Sequence, residues 1–235
     1  VDVAESGIQC LDMVKEKQYD MIFMDHMMPK MDGIETFCRL KAENVDILSY
    51  TPVIMLTANA IVGVKEKYLE EGIAKLKEDG VNLILACCHW GIERDNYPED
   101  YQKELGRKCI DWGADLVIGH HPHVLQGIDQ YQGKYIIYSL GNFCFGANRN
   151  PSDKDTMIFQ QTFTFRAEGG EQISYELVET NEARIIPCSI SSVTSRNNFQ
   201  PTPLEGEDWS RVIGRINEYS REFGVTVDEE GVLSY

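Results

Sequence analysis

Four of the chain's five histidines follow two short apolar runs. His89 comes after Val81–Cys88 (VNLILACC), and His120, His121 and His123 come after Asp115–Gly119 (DLVIG). Asn142 closes a third run, Lys134–Ser139 (KYIIYS), in the same way. Neutral imidazoles gathered at one edge suit Zn, Mn or Fe. The H-x-H spacing of His121 and His123 can turn two rings to one side of an extended loop. In a two-metal centre such a pair serves both ions, which polarise a phosphate and activate water. A lone loop histidine more often just bonds backbone; clustering at neighbouring strand ends is what favours ligands here.

A second constellation lies near the start. Asp25 ends the apolar run Tyr19–Met24 (YDMIFM), and Pro29 and Gly33 hold the following residues in a loop. The next run, Pro52–Thr57 (PVIMLT), ends in a hydroxyl at the same sheet edge. A carboxylate facing a hydroxyl can accept a phosphoryl group and have its oxygen read by that hydroxyl. Taken alone, an aspartate at a strand end is more often a cap or a solvated carboxylate.

These residues need strands to carry them, and the patterning supplies them. Strands are expected at Val1–Glu5, Tyr19–Met24, Pro52–Thr57, Val81–Cys88, Asp115–Gly119 and Lys134–Ser139. Helical spacing covers Gly7–Lys17, Ile34–Asn44, Val64–Asp79 (with a break near Gly72) and Tyr101–Trp112. The alternation predicts an α/β fold with a mostly parallel sheet built from repeated β-α units. Beyond it, Thr156–Arg166 and Gln172–Thr180 alternate apolar and polar around a glycine turn, which predicts an antiparallel hairpin. Residues 197–207 read as a loop and Trp209–Phe223 as a final helix.

Composition narrows the function classes. The 235 residues carry a formal net charge of −16, and no Lys/Arg-rich block is present. Such a chain repels phosphate backbones, so nucleic-acid binding is not expected. No apolar run approaches the ~20 residues of a bilayer span. Seven cysteines, several inside apolar runs and none in a CxxC pair, read as free core thiols in a reducing compartment. With no export signal at the start, they favour the cytoplasm.

Two stretches resemble known families. MDHMMPKMDGIET followed by PVIMLTANA resembles the receiver domain of two-component response regulators, over about residues 1–72. The resemblance implies that Asp25 is the phospho-acceptor, that Thr57 follows phosphorylation, and that Mg²⁺ and a histidine kinase are the partners. The receiver's first strand, with its Mg²⁺-binding acidic pair, and its last strand, with its Lys, have no counterpart here. Little phosphotransfer is therefore expected.

HWGIERDNYP and GADLVIGHHPHVLQGIDQYQGKYIIYSLGNFCFG look like the C-terminal half of CapA-type proteins. These are linked to capsule and poly-γ-glutamate synthesis and belong to the calcineurin-like metallophosphatase superfamily. This likeness runs from about residue 73 to about 220. It implies metal ligation by His89, His121 and His123, with Glu93, His120 and Asn142 lining the site, and a phosphate-containing or polymer substrate. The family's N-terminal half supplies further ligands, and nothing before residue 73 resembles it.

The expected organisation is thus a partial receiver segment, 1–72, and a partial CapA-type segment, 73–235, joined inside a helix. A common sheet, with VNLILACC standing in for the receiver's last strand, is one way to fold both. Three functions follow: a metallophosphatase-like protein with an incomplete metal site, a receiver signalling through Asp25, and a folded but inactive chimera.

Overall fold

A computed structural model describes residues 1–19, 22–25, 28–43, 51, 53–56, 64–78, 80–144, 146, 149–168 and 174–235. The N-terminal elements are α1 (Gly7–Glu16), β1 (Ile22–Asp25), α2 (Gly33–Glu43), β2 (Val53–Leu56) and α3 (Val64–Glu78). Then follow β3 (Leu85–His89), α4 (Asp100–Trp112), β4 (Leu116–His120), β5 (Ile128–Tyr131) and β6 (Lys134–Ile137). The chain closes with β7 (Asp155–Glu168), β8 (Ser174–Ser189), β9 (Thr202–Pro203), α5 (Gly206–Ser220), a 3₁₀ turn at Arg221–Phe223, β10 (Thr226–Val227) and β11 (Leu233–Ser234). This is the expected α/β fold with its antiparallel hairpin, β7–β8, and final helix, α5.

The sheet that carries the histidines has the order β3-β4-β6-β5. β3 and β4 run parallel, with His89 opposite His120. β4 and β6 are parallel, and β5 returns antiparallel beside β6. One buried carboxylate aligns the first two strands. Asp115 accepts from the Ile84 N–H at 2.9 Å and from Lys134 Nζ at 2.9 Å, and its own N–H donates to the Ile84 carbonyl. Satisfying that carboxylate fixes where β3 and β4 begin, and hence that both end level with each other.

Helix α4 covers one face through its apolar stripe. Gly113 ends it at φ 120, a backbone angle that favours glycine. The other face packs against α5, where Val212, Ile213 and Ile216 join Ile128, Ile137 and Ile185 in a second core.

The first core crosses the expected join. Leu40 of α2, Val53 of β2 and Ile73 and Leu76 of α3 lie in one buried cluster with Ile84, Ala86, Cys109 and Ile136. Lys108 of α4 reaches Glu66 of α3 at 2.6 Å as well as Glu104 at 2.7 Å. Exposed pairs of this kind add little, so the shared apolar cluster is what holds the two stretches together.

Four expectations need correction. Val1–Glu5 is not a strand; among the described residues no strand flanks β1 there, and Ser6 caps α1 by accepting from the Gln9 N–H. Helix α3 runs unbroken through Gly72, because a single glycine weakens a helix by only about 1 kcal/mol and Leu69, Ile73 and Leu76 bury one face. Among the described residues the strands do not share one hydrogen-bonded sheet: β1 and β2 pair parallel as a sheet of two, while β3 belongs to the sheet of four. Finally, β5 has no place in the expected strand list, since Ile128-Asp129-Gln130-Tyr131 puts two polar residues side by side and so lacks the alternation of a half-buried strand.

All seven cysteines are free, with Cys88, Cys109 and Cys188 buried. Among the described residues no helix is long and apolar enough to cross a membrane.

Candidate metal centre

The ends of β3 and β4 open into two loops, and their carbonyls and amides lock the loops together. The Trp90 N–H donates to the His120 carbonyl at 3.0 Å, and the Arg94 N–H donates to the Pro122 carbonyl at 2.7 Å. This draws Glu93 beside the H-P-H segment. Ligand atoms of Glu93, His121 and His123 all lie within 4.8 Å of one another, the one such group of three or more among the described residues. Glu93 is exposed and the two histidines are half-buried.

The backbone at this point is strained. His121 sits at φ 101, His123 at φ 61 and Arg94 at φ 66, all in the left-handed region. Non-glycine residues held there cost of order 1–3 kcal/mol each, and the surrounding structure must enforce them.

Enforcement comes from below. The side chains of Gln102 and Gln126 are wholly buried and bond each other at 3.1 Å. Gln126 Nε2 also donates to the carbonyls of Asp95 and Tyr97, while Gln102 Oε1 accepts from the Glu99 N–H. Asn96 Nδ2 donates to the Leu125 carbonyl at 2.8 Å. The loop bearing Glu93 is therefore tied to the loop bearing the histidines by buried amides rather than by apolar packing.

Beneath both loops, the Trp90 indole N–H donates to the Tyr138 carbonyl at 2.9 Å. It can do so because residue 119 is glycine: a Cβ there would stand 2.0 Å from that carbonyl oxygen and 2.3 Å from Trp90 Nε1.

Asn142 reaches the centre from the end of the third strand. Its Oδ1 lies 2.7 Å from His123 Nδ1, and its Nδ2 donates to the His123 carbonyl at 3.1 Å. The carbonyl accepts only, so Nδ2 must face it and Oδ1 must face the ring. His123 Nδ1 therefore carries the hydrogen, and the Nε2 lone pair is left as the ligand. His89 packs against His121, with ring centroids 4.5 Å apart, and stands outside the three-residue group. His120 lies across from His89; desolvation of its ring, then repulsion from His89, lowers its pKa.

Asp25 ends β1 as expected and is exposed, level with Leu56 of β2. It takes no part in the Glu93 group. Thr57 lies outside the described residues.

The donor set fits a divalent transition ion. Two imidazoles and a carboxylate are ligands shared by zinc hydrolases and non-haem iron centres. Two residues that sequence reasoning passed over hold this set together, Gln102 and Gln126. Their only visible signal is an uncharged polar residue at a core-facing position.

The chain matches the family described as bacterial capsule synthesis protein PGA_cap over residues 27–147, and it belongs to that family. The match opens upstream of the expected join at 73. Over 115 residues the chain is 35% identical to the PGA biosynthesis protein CapA of Bacillus subtilis (strain 168), covering 49% of this chain and 30% of that protein. Over 69 residues it is 48% identical to the capsule biosynthesis protein CapA of Bacillus anthracis, covering 29% of this chain and 17% of that one. A separate stretch of 74 residues is 40% identical to the signal transduction histidine-protein kinase BarA of Escherichia coli (strain K12), covering 32% of this chain and 8% of the kinase. The chain thus spans 30% or less of the length of each of these relatives.

Proposed function

We propose that this capsule-family chain binds one divalent transition ion, Mn, Fe or Zn, through Glu93, His121 and His123, and that the centre acts on a phosphoester. The convergence of those three ligand atoms within 4.8 Å is the observation that carries this reading. Bound there, such an ion supplies Lewis-acid polarisation and lowers the pKa of a coordinated water. The protein's own residues do the rest. His121 and His123 offer neutral nitrogens, and Asn142 holds the His123 tautomer. Glu93 cancels one of the ion's two charges, so the centre stays attractive to an anionic substrate. His89, packed on His121, and His120 stand at the same sheet edge. The CapA portion is read as the segment from about 73 onward, with the receiver-like segment before it.

The test is metal-dependent hydrolysis of bis(p-nitrophenyl) phosphate by the full chain. Turnover that needs added Mn²⁺ or Zn²⁺ and is lost in the His121→Ala/His123→Ala double variant supports the reading. No turnover above the double variant contradicts the enzyme and leaves a metal-binding chimera.

The likeness to a histidine kinase over a separate stretch favours a second reading, in which Asp25 accepts a phosphoryl group, with Mg²⁺, from a histidine kinase and Thr57 responds. Labelling by acetyl phosphate that disappears in Asp25→Asn supports it; an unlabelled chain contradicts it.

A further inference from the structure

Beside the metal group opens a polar cleft of about 1020 Å³. Its walls include Arg94, Asn96, Lys154, Arg211 and Arg215. Most of these cations are already engaged. Arg211 bonds Asp155, at 2.9 Å for one pair, and Asp208 at 3.1 Å. Arg215 bonds Asp153 and Asp155. Lys154 Nζ donates to the Thr194 carbonyl at 2.7 Å. Arg94 differs: its side chain makes no ion pair with any described residue, and only its backbone N–H is bonded.

The placement of Arg94 is held from both sides. Its left-handed φ of 66 is fixed by the bond to Pro122, which lies between His121 and His123. Asp95 and Asn96, just after it, are tied to Gln126 and Leu125. Glu93, just before it, belongs to the metal group. One strained turn therefore places Glu93 in the metal group and the next residue, Arg94, in the wall of the cleft.

The geometry points to Arg94 as the residue that binds an oxyanion of the substrate, phosphate or carboxylate, in this cleft next to the metal centre. A guanidinium fork matches both anions in two-point fashion. The chain's net charge of −16 repels anions at long range, and the cleft itself carries Asp153, Asp155, Glu205 and Asp208. An anion that settles here therefore needs a cation whose side chain is not already bonded, which among the described lining cations is Arg94. The inference rests on the metal reading for its catalytic meaning, though the binding itself does not.

Calorimetric titration tests it, using the full chain purified without chelator, with phenylphosphonate and with glutarate as separate probes. Arg94→Asn removes the charge but tolerates a left-handed backbone; Arg94→Lys keeps the charge and loses the fork. Metal content and unfolding midpoint are measured on the same samples. The expected result is saturable binding of one probe to the wild-type chain, weakened about tenfold or more in Arg94→Asn and partly restored in Arg94→Lys, with metal content unchanged. The tighter probe identifies the oxyanion. Equal affinity in wild type and Arg94→Asn, or saturation by neither probe, overturns the inference. Arg94-dependent binding in a chain that holds no metal supports it while refuting the metal reading.

Discussion

Asn142 grips His123 at two points, accepting from ring Nδ1 at 2.7 Å and donating to the backbone carbonyl at 3.1 Å. The second bond fixes which way the amide faces, and so fixes the ring tautomer. Partners of metal-binding histidines typically contribute 10–100-fold to metal affinity. Asn142→Ala is expected to weaken Zn²⁺ binding by about that factor with little change in unfolding midpoint. Competition titration against a chromophoric chelator measures it.

The Gln102–Gln126 pair should matter to both stability and metal binding. Gln126→Leu leaves Gln102 and the carbonyls of Asp95 and Tyr97 without these bonds, and each unsatisfied buried group costs about 1–3 kcal/mol. Because those bonds also tie the Glu93 loop to the histidine loop, metal affinity should fall together with the denaturant midpoint. An unchanged affinity in a destabilised Gln126→Leu chain would show that the loops hold each other without the amides.

Little of that support can be read from the sequence. The strands that lead into the site are legible because apolar runs followed by His89, His120 and Asn142 announce buried strands and their edge. Gln102 and Gln126 are not, since their burial depends on facing each other across two elements. β5 escapes for a related reason: Asp129 looks solvated, yet it is buried because Arg107 and the Tyr138 hydroxyl both bond it. Glu93 is visible as a site residue, but its closeness to His121 and His123 comes from the Arg94–Pro122 bond, a tertiary contact that no local pattern encodes.

Gly119 should be intolerant of any side chain. Gly119→Ala drives a methyl into the Tyr138 carbonyl and displaces the Trp90 indole, so a loss of about 3 kcal/mol or more is expected. Gly133→Ala, where a Cβ meets nothing within 4 Å, is the control. Its cost should be about 1–2 kcal/mol, from its φ of 76 alone. Urea denaturation of both variants separates clash from backbone strain.

The acid limb of stability should depend on Asp153. Burial opposes its carboxylate, but hydrogen bonds from Arg215 and the Asp155 N–H, with the charges of Arg215 and Arg211, prevail and lower its pKa. A lowered folded-state pKa contributes stability that is present above the ordinary value of 3.8 and is lost as pH falls through it toward the folded value. The thermal midpoint should therefore drop below about pH 4. In Arg215→Gln the midpoint should already be lower at pH 7 and the acid drop smaller. Thermal scans between pH 2.5 and pH 7, a range of the order set by carboxylate titration, measure both.

A core shared across the join predicts joint unfolding. Leu40 of α2 is fully buried in the cluster that also holds Ile84 and Ile136. Leu40→Ala should cost about 2–5 kcal/mol and shift the transition of the whole chain. Amide exchange that leaves α1 and α2 unprotected while β3, β4 and β6 stay protected would mean two separate units.

The most direct test counts transition metal per chain by elemental analysis, on protein purified without chelator, beside the His121→Ala/His123→Ala and Glu93→Gln variants. About one Mn, Fe or Zn per wild-type chain, lost in the double variant and much reduced in Glu93→Gln, is the predicted result. Absence of metal from all three, after exposure to excess Mn²⁺ and Zn²⁺, would contradict a metal centre built from these residues.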